Sequence, residues 1–378
     1  MLVKLSMKNF KSFVEKTEID LNATGYEILS DKNKTNDNIL KGAVFVGGNA
    51  TGKTNVIRAI RFLLELLVWQ VDVQLLEYKS FYSDFNERME LSYEFKIKES
   101  NIKYIVETDN NAILKEELIQ DGKQILVRIN NNGEYTNKEC KKMQIDNIQK
   151  NQSALRAVYF ENRFIDNEVL QEWFEFLKDS VYIDQANKLV FCANQEKLTR
   201  NYFENNGKEE INNFLKSINY NQTIDYVSEY KNKAMQFNFQ NRKEVVVIRN
   251  DMNIGLPISL ESLGNQTLVE MLPQILQAVK KSCMVIIDEF SSAFHNQLEE
   301  KIIRYFMEKA DRSQMFIVSH STNLLTNTLL RPDQIYTVDY ITGKGSKLYR
   351  VSDSKPREAQ NLEKMYLSGV FNGLPNIK

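Results

Sequence analysis

The fold is decided by residues 43–55, which read AVFVGGNATGKTN. The first four of them, residues 43–46, form an apolar run that is typical of a buried β-strand. The segment that follows the run, Asn55 to Leu67, has the pattern of an amphipathic helix. Between the two, residues 47–54 match the phosphate-binding loop pattern G-x-x-x-x-G-K-[ST] in full. Strand, loop and helix in this order predict a site for a nucleoside triphosphate.

Each part of this loop has a physical task. Glycines such as Gly47 and Gly52 let the backbone wrap phosphate groups with its N–H bonds, and the helix N-terminus adds positive potential. Lys53 can reach the β- and γ-phosphates, and the Thr54 hydroxyl can bind Mg²⁺. The alternative is a chance glycine-rich turn before a helix, which the order of the three elements disfavours. We therefore expect ATP and Mg²⁺ as the ligands.

A second motif, residues 284–289, reads MVIIDE. Its four apolar residues predict a buried parallel strand, which would deliver Asp288 to the carboxyl edge of the sheet beside Mg²⁺. Glu289 would then orient or deprotonate the attacking water. A core strand that ends in a solvated acidic turn would have the same pattern, but the phosphate-binding loop upstream favours the catalytic interpretation.

Two further segments could contact phosphate groups. Residues 315–320, MFIVSH, predict another buried strand, and His320 at its end could donate a hydrogen bond to a γ-phosphate. Ser262 and Gly264 open a predicted helix that runs from Gln266 to Lys280. A serine and a glycine at this place suit either an anion site or an ordinary N-cap, and the residues alone leave both open. Pro273 is expected to kink this helix or delay its start.

Composition limits the class of protein. The chain of 378 residues is long enough for two domains or for one domain with an insertion. Its 49 basic and 50 acidic residues give a formal net charge of -1, which argues against nucleic-acid binding by bulk electrostatics and leaves only a local patch possible. Three cysteines, Cys140, Cys192 and Cys283, have no metal-binding spacing and suit a reducing compartment. The most apolar stretch, residues 60–76, is too short and too charged to span a bilayer. We expect a cytoplasmic protein with no membrane partner.

Alternating patterns predict strands in the first part of the chain. Two are expected at Leu2–Met7 and Thr17–Leu21, and an antiparallel set follows between residues 89 and 129. Residues 168–239 have a mostly helical pattern that is rich in aromatic side chains. These aromatic side chains could form a stacking surface for bases, but core packing is the interpretation we favour.

Taken together, the motifs resemble those of the ABC-type ATPases of the RecF, SMC and overcoming-lysogenization-defect group. More closely, they resemble the compact AAA-family ATPases associated with abortive infection and restriction in bacteria. The matching segments are residues 1–13 as first strand and turn, Gly47 to Asn55 with Asn49 as phosphate-binding loop, residues 261–265 as a degenerate signature motif, Asp288 and Glu289 as the Walker B pair, residues 291–297 with His295 as D-loop, His320 as switch histidine, and residues 333–336, 348–349, 366–369 and 373–375 as C-terminal blocks.

This resemblance implies an α/β fold. The head would have a mixed sheet core and an antiparallel lobe, built from residues 1–149 and 245–378, and a mostly helical insertion would occupy residues 150–244. It also implies ATP hydrolysis by a homodimer or a higher oligomer, with Ser262 and Gly264 of the partner subunit completing each ATP site. The implied role is the regulatory subunit of an anti-phage defence system that controls a separately encoded nuclease or toxin. A DNA-repair ATPase, an ATP-bound scaffold with little turnover and a transporter ATPase remain alternatives.

Overall fold

The computed structural model describes residues 1–69, 71–84, 86–137, 141–193, 201–205, 207–231, 236–239, 242–252, 254–292 and 295–374. The strands are β1 (Leu2–Lys8), β2 (Thr17–Asp20), β3 (Gly42–Gly47), β4 (Met89–Ile97), β5 (Ser100–Thr108), β6 (Ile113–Gln120), β7 (Lys123–Ile129), β8 (Asn132–Thr136), β9 (Lys142–Ile145), β10 (Val181–Asp184), β11 (Leu189–Phe191), β12 (Gln222–Val227), β13 (Glu229–Lys231), β14 (Gln236–Asn238), β15 (Glu244–Arg249), β16 (Ile254–Pro257), β17 (Met284–Asp288), β18 (Gln314–Val318), β19 (Ile335–Ile341) and β20 (Gly345–Arg350). The helices are α1 (Lys53–Leu67), α2 (Leu75–Tyr78), α3 (Ala154–Asn162), α4 (Glu168–Lys178), α5 (Gly207–Ser217), α6 (Leu263–Ala278), α7 (Asn296–Lys309) and α8 (Leu362–Leu367).

A mixed sheet of seven strands forms the centre of the molecule, in the order β11-β10-β17-β18-β3-β19-β20. The five strands from β10 to β19 are parallel to one another, and the edge strands β11 and β20 are antiparallel to them. The strands β17 and β18 are buried along their whole length because helices cover both faces of a parallel sheet. Their carboxyl ends meet at one edge, which therefore brings together the ends of β3, β17 and β18.

The second large sheet is antiparallel and has eight strands in the order β2-β1-β4-β5-β6-β7-β8-β9. Strands β4 and β5 alternate buried and partly exposed residues, which is the pattern of a sheet with one face on the core. The strands predicted between residues 89 and 129 are therefore confirmed, with ends that differ by one or two residues. Together the two sheets confirm the predicted α/β fold with a mixed core and an antiparallel lobe.

Helix α1 lies between the two sheets. Its apolar side chains join those of the antiparallel sheet and of one face of the mixed sheet, including Phe45 and Phe316, in one core cluster. Val44 and Val46 point to the opposite face, where α5, α6 and α7 contribute to a second cluster. Since α1 begins directly after the phosphate-binding loop, burial of this helix on both sides fixes the position of the loop.

The segment of residues 150–244 differs from the predicted helical insertion. It contains helices α3, α4 and α5, but β10 within it pairs with β17 as a parallel strand of the central sheet. Four residues are too few to display a helical or a strand period, so the aromatic pattern around them led to the helical prediction. Residues 194–200, 206, 232–235 and 240–241 of the segment lie outside the described residues.

Helix α6 begins at Leu263, ahead of the predicted start at Gln266, and runs through Pro273. The prediction that this proline could delay the helix start is wrong, because ten helical residues precede it within an apolar, buried stretch whose packing outweighs the lost hydrogen bond. Among the helices of the described residues, none combines the length and the apolar character that a membrane crossing requires.

Candidate nucleotide-binding site

The phosphate-binding loop connects β3 to α1, and the hydroxyl groups of Ser12 and Ser346 pack against its end. Gly52 has a φ of 102°, and a Cβ atom there would lie 2.3 Å from Ser346 Oγ and 2.6 Å from Ser12 Oγ. Ser346 Oγ donates to the Thr51 carbonyl over 2.6 Å, and Asn55 Nδ2 donates to Ser12 Oγ over 2.8 Å. Glycine is required at position 52 by both its left-handed backbone and this close approach.

The Lys53 ammonium group lies against its own loop. Its Nζ atom donates to the carbonyl oxygens of Gly47 and Gly48, over 3.1 and 2.7 Å. Burial lowers the pKa of Lys53 below its usual value, and the nearby carboxylates of Glu289 and Asp288 oppose that shift. Lysine has three rotatable donors on a flexible stem, so a phosphate group could replace these carbonyl partners as an acceptor.

Thr54 and Asp288 meet although 234 positions separate them in the chain: Thr54 Oγ1 donates to Asp288 Oδ1 over 3.0 Å. The other carboxylate oxygen, Oδ2, accepts a hydrogen bond from the Tyr182 hydroxyl over 3.2 Å. Burial raises the pKa of Asp288 above its usual value, and the two hydrogen bonds partly offset this shift because they stabilise the charged form. The predicted metal-binding pair is thus brought together.

Glu289 and His320 form a second pair at the same edge. Their side chains approach to 3.4 Å between Nε2 of His320 and Oε2 of Glu289, and both are partly exposed. Glu289 has a φ of 56°, a left-handed conformation that is uncommon for a residue with a Cβ atom. Backbone strain of this kind carries about 1–3 kcal/mol and concentrates at functional sites. The backbone N–H of His320 also donates to Ser291 Oγ over 3.1 Å, which ties the ends of β17 and β18 together.

Sequence reasoning missed two residues of this site, Tyr182 and Gln185. Both are placed by β10, whose Asp184 is the direct partner of Asp288 in the parallel ladder. The backbone N–H of Gln185 donates to the Asp288 carbonyl over 3.2 Å, and its side-chain amide donates to the Glu289 and Phe290 carbonyls in the orientation that suits its neighbours. The available signal was the run VYIDQ, which ends a short apolar strand in polar residues as MVIIDE does.

The predicted signature residues lie apart from this pairing. Ser262 is the N-cap of α6, where its Oγ accepts a hydrogen bond from the Asn265 N–H over 3.4 Å, and its side chain is exposed. Gly264 lies in the first turn of the same helix. His295 caps α7 in the same way, through Nδ1 and the Gln297 N–H. Two residues of the predicted D-loop, 293 and 294, and residue 375 of the last C-terminal block lie outside the described residues, as does Cys140.

The donor set at Thr54 and Asp288 fits Mg²⁺. This ion is usually held by one or two protein oxygens together with substrate phosphates and water, not by a cage of protein ligands. In agreement, the described part of the chain contains no cluster of three or more histidine, cysteine or acidic side chains that could hold a metal by itself. A hydroxyl and a carboxylate beside a phosphate-binding loop are the oxygen ligands that such an ion would need.

Comparison with solved structures supports the same fold. The SMC head domain from Thermotoga maritima superposes with a TM-score of 0.50 at 15% identity, covering 92% of this chain and 98% of that one. An SMC head bound to the C-terminal winged-helix domain of ScpA gives a TM-score of 0.51, also at 15% identity, covering 92% and 96%. Identity at this level shows the fold only. No functionally curated protein matches the sequence.

A family model matches residues 43–326, well over half of the chain, from the strand before the phosphate-binding loop to the segment after His320. Its description reads "AAA domain, putative AbiEii toxin, Type IV TA system". The resemblance inferred from the sequence motifs is therefore confirmed at the level of ATPase class and fold. The chain belongs to this AAA-domain family and has the P-loop ATPase fold of the SMC head.

Proposed function

We propose that the protein is an ATP-hydrolysing switch in which two copies close on two ATP molecules. The observation that carries this proposal is the convergence of two pairs at one sheet edge, Thr54 with Asp288 and Glu289 with His320. The first pair suits the metal that accompanies the triphosphate, and the second suits the water that attacks it. A site that only stored a nucleotide would need no carboxylate at the second position.

The roles follow from the positions. Lys53 and the loop N–H groups bind the phosphates, and bound Mg²⁺, held by Thr54 and Asp288, would neutralise phosphate charge during the reaction. Glu289 orients or deprotonates the attacking water, because its carboxylate is partly exposed beside the loop. His320 holds the Glu289 side chain and donates to the γ-phosphate.

Dimerisation is supported by the surface around the signature residues. Ser262 is exposed at the start of α6, and its neighbours Leu260 and Leu263 are 61% and 53% exposed. Apolar side chains beside an exposed helix N-terminus suit a contact that closes over an anionic group. ATP would then favour the closed dimer through contacts that only this state makes, and loss of the γ-phosphate would release it.

The biological setting is inferred from the family. Its description names an AbiEii toxin and a type IV toxin–antitoxin system, which supports a part in abortive infection. We infer that the chain acts in the cytoplasm and controls a separately encoded nuclease or toxin. In this proposal residues 1–149 and 245–378 form the head together with β10, and the other parts of residues 150–244 contact the effector. Purification from the native operon should recover that effector, and recovery of the ATPase alone would contradict this part.

The switch itself is tested with Glu289→Gln and Lys53→Ala. Glu289→Gln should bind ATP without turning it over, since the amide cannot accept the proton from water, and Lys53→Ala should abolish ATP binding. Light scattering of Glu289→Gln should give a doubled mass with Mg²⁺-ATP and the single-chain mass without it. Lys53→Ala is the matched control, with no mass change. Normal turnover by Glu289→Gln would refute the general-base role, and an unchanged mass would refute the ATP-driven dimer.

A further inference from the structure

We propose that the base of the bound nucleotide stacks against an aromatic wall formed by Tyr340 and Tyr82. This inference rests on the proposed function and adds the part of the ligand that the phosphate-binding motifs do not address. The ligand class is a nucleotide with a heteroaromatic base, held at its phosphate end by Lys53 and at its base end by two tyrosine rings.

The direction of the nucleotide follows from the order of strands. Asp288, Glu289 and His320 lie at the ends of β17 and β18, on one side of β3. Since these residues suit the terminal phosphate and its metal, the triphosphate points from the loop toward that side. The ribose and the base must then extend to the other side of β3, where the neighbouring strand is β19.

Tyr340 lies on β19 close to the loop. In the parallel ladder Val338 is the partner of Gly47, the first glycine of the phosphate-binding loop, and Tyr340 follows two residues later on the same face. The hairpin of β19 and β20 is fixed to the loop, because Ser346 donates to the Thr51 carbonyl and its N–H donates to the Ser12 carbonyl. The ring of Tyr340 is therefore held at the edge of the sheet at which the loop begins.

Tyr82 completes the wall from a different part of the chain. Its ring centroid lies 6.1 Å from that of Tyr340, with the planes inclined by 55°. The segment that carries it is attached to the turn between β1 and β2, since the Ser80 N–H donates to the Asn9 carbonyl and the Lys11 N–H to that of Tyr78. Ser12 of the same turn accepts a hydrogen bond from Asn55 in the first turn of α1. Two separate segments, both anchored beside the loop, thus bring one aromatic ring each to the same place.

The rings are available for a ligand. Tyr82 is 61% exposed and Tyr340 is 38% exposed, whereas Tyr336 on the same face of β19 is buried. Lys11, between this segment and the loop, is half-buried, and the pKa of its ammonium is lowered by burial and by the neighbouring cation of Arg58. Lys11 also lies over the ring of Tyr78, 5.1 Å from its centroid, in the segment that leads to Tyr82. Two neighbouring cations close to this segment suit an anionic ligand that ends in a flat, apolar group.

The test compares binding of ATP and of inorganic tripolyphosphate by calorimetry, both with Mg²⁺. Tyr340→Ala and Tyr82→Ala should each weaken ATP binding by about tenfold or more and leave tripolyphosphate binding unchanged, because only ATP has a base to stack. Tyr340→Phe should retain wild-type affinity, since it keeps the ring. Phe160→Ala is the matched control, because Phe160 is 54% exposed on α3 and outside the proposed wall.

The outcomes separate this inference from the proposed function. If the wild-type protein binds neither ligand, the nucleotide site itself is refuted. If it binds both and the tyrosine variants keep full affinity for ATP, only the aromatic wall is refuted. Equal losses for ATP and tripolyphosphate would also refute the wall, because they would place the effect at the phosphate end, where Lys53→Ala supplies the reference.

Discussion

At the residue scale, the chemistry of the site depends on how Asp288 keeps its negative charge. The carboxylate is buried, which favours its neutral form, and hydrogen bonds from Thr54 and Tyr182 favour the charged form. A carboxylate binds Mg²⁺ in its charged form, so both donors would support the proposed metal site although neither is a catalytic group. Tyr182 does this from a strand that carries no recognised motif.

Tyr182→Phe should therefore raise the Mg²⁺ concentration needed for half-maximal turnover about fivefold, since one hydrogen bond to a buried carboxylate is lost. The pKa of Asp288, already raised, should rise further. Turnover that needs the carboxylate is present above this pKa and lost as the pH falls through it, so the acid limb should move to higher pH. Rates measured against Mg²⁺ and pH test this, with Tyr305→Phe as control. An unshifted acid limb would show that Tyr182 only packs.

How far the sequence predicts the site depends on the residue. Lys53, Thr54, Asp288 and Glu289 lie in local patterns that combine a strand with a polar end, and the structure brings them to one edge. Tyr182 and Gln185 reach the same edge only because β10 is inserted beside β17. That neighbour relation joins segments about 100 positions apart, and no local pattern contains it.

At the scale of elements, long alternating strands and the helix after the phosphate-binding loop were predictable, because their periods extend over several repeats. Strands of three or four residues, such as β10, β11 and β13, are shorter than a reliable period. Helix α6 shows the other limit: burial of its apolar face stabilises it through Pro273, which outweighs a local preference.

Ser262 at the start of α6 can be assigned by a substitution that separates its two possible roles. Ser262→Asp keeps a good N-cap, so the thermal midpoint without nucleotide should stay at the wild-type value. In the closed dimer it would place a negative charge against the phosphates held by the other subunit. Combined with Glu289→Gln, it should abolish the mass doubling with Mg²⁺-ATP. A doubled mass with an unchanged midpoint would identify Ser262 as a helix cap only.

At the scale of the whole molecule, Arg331 connects the C-terminal part of the chain to residues 24–28 of the N-terminal part. Its guanidinium is fully buried, pairs with Asp333 over 2.9 Å and donates to the carbonyls of Thr24, Tyr26 and Ile28. Asp333 in turn accepts from the N–H and hydroxyl of Thr24. The segment between β2 and β3 is thereby fixed to the segment that precedes β19.

Arg331→Met should lower the free energy of unfolding by about 3–5 kcal/mol, because it leaves Asp333 buried without its cation. The double variant with Asp333→Leu should recover part of this loss, since no charge then remains unpaired. Urea denaturation of both variants gives the comparison. Equal stability of the single and double variants would mean that the hydrogen bonds to the three carbonyls and between Thr24 and Asp333, and not the ion pair alone, account for the loss.

The insertion of β10 into the central sheet has a mechanical consequence. Helix α4 ends only a few residues before β10, and Tyr182 within this strand and Gln185 directly after it contact the Walker B segment. A displacement of α4 would therefore be transmitted to the candidate site through the two residues that follow the helix and through β10. Coupling between two binding sites is reciprocal. If a partner that binds the middle of the chain changes the affinity for ATP, ATP will change the affinity for that partner by the same factor.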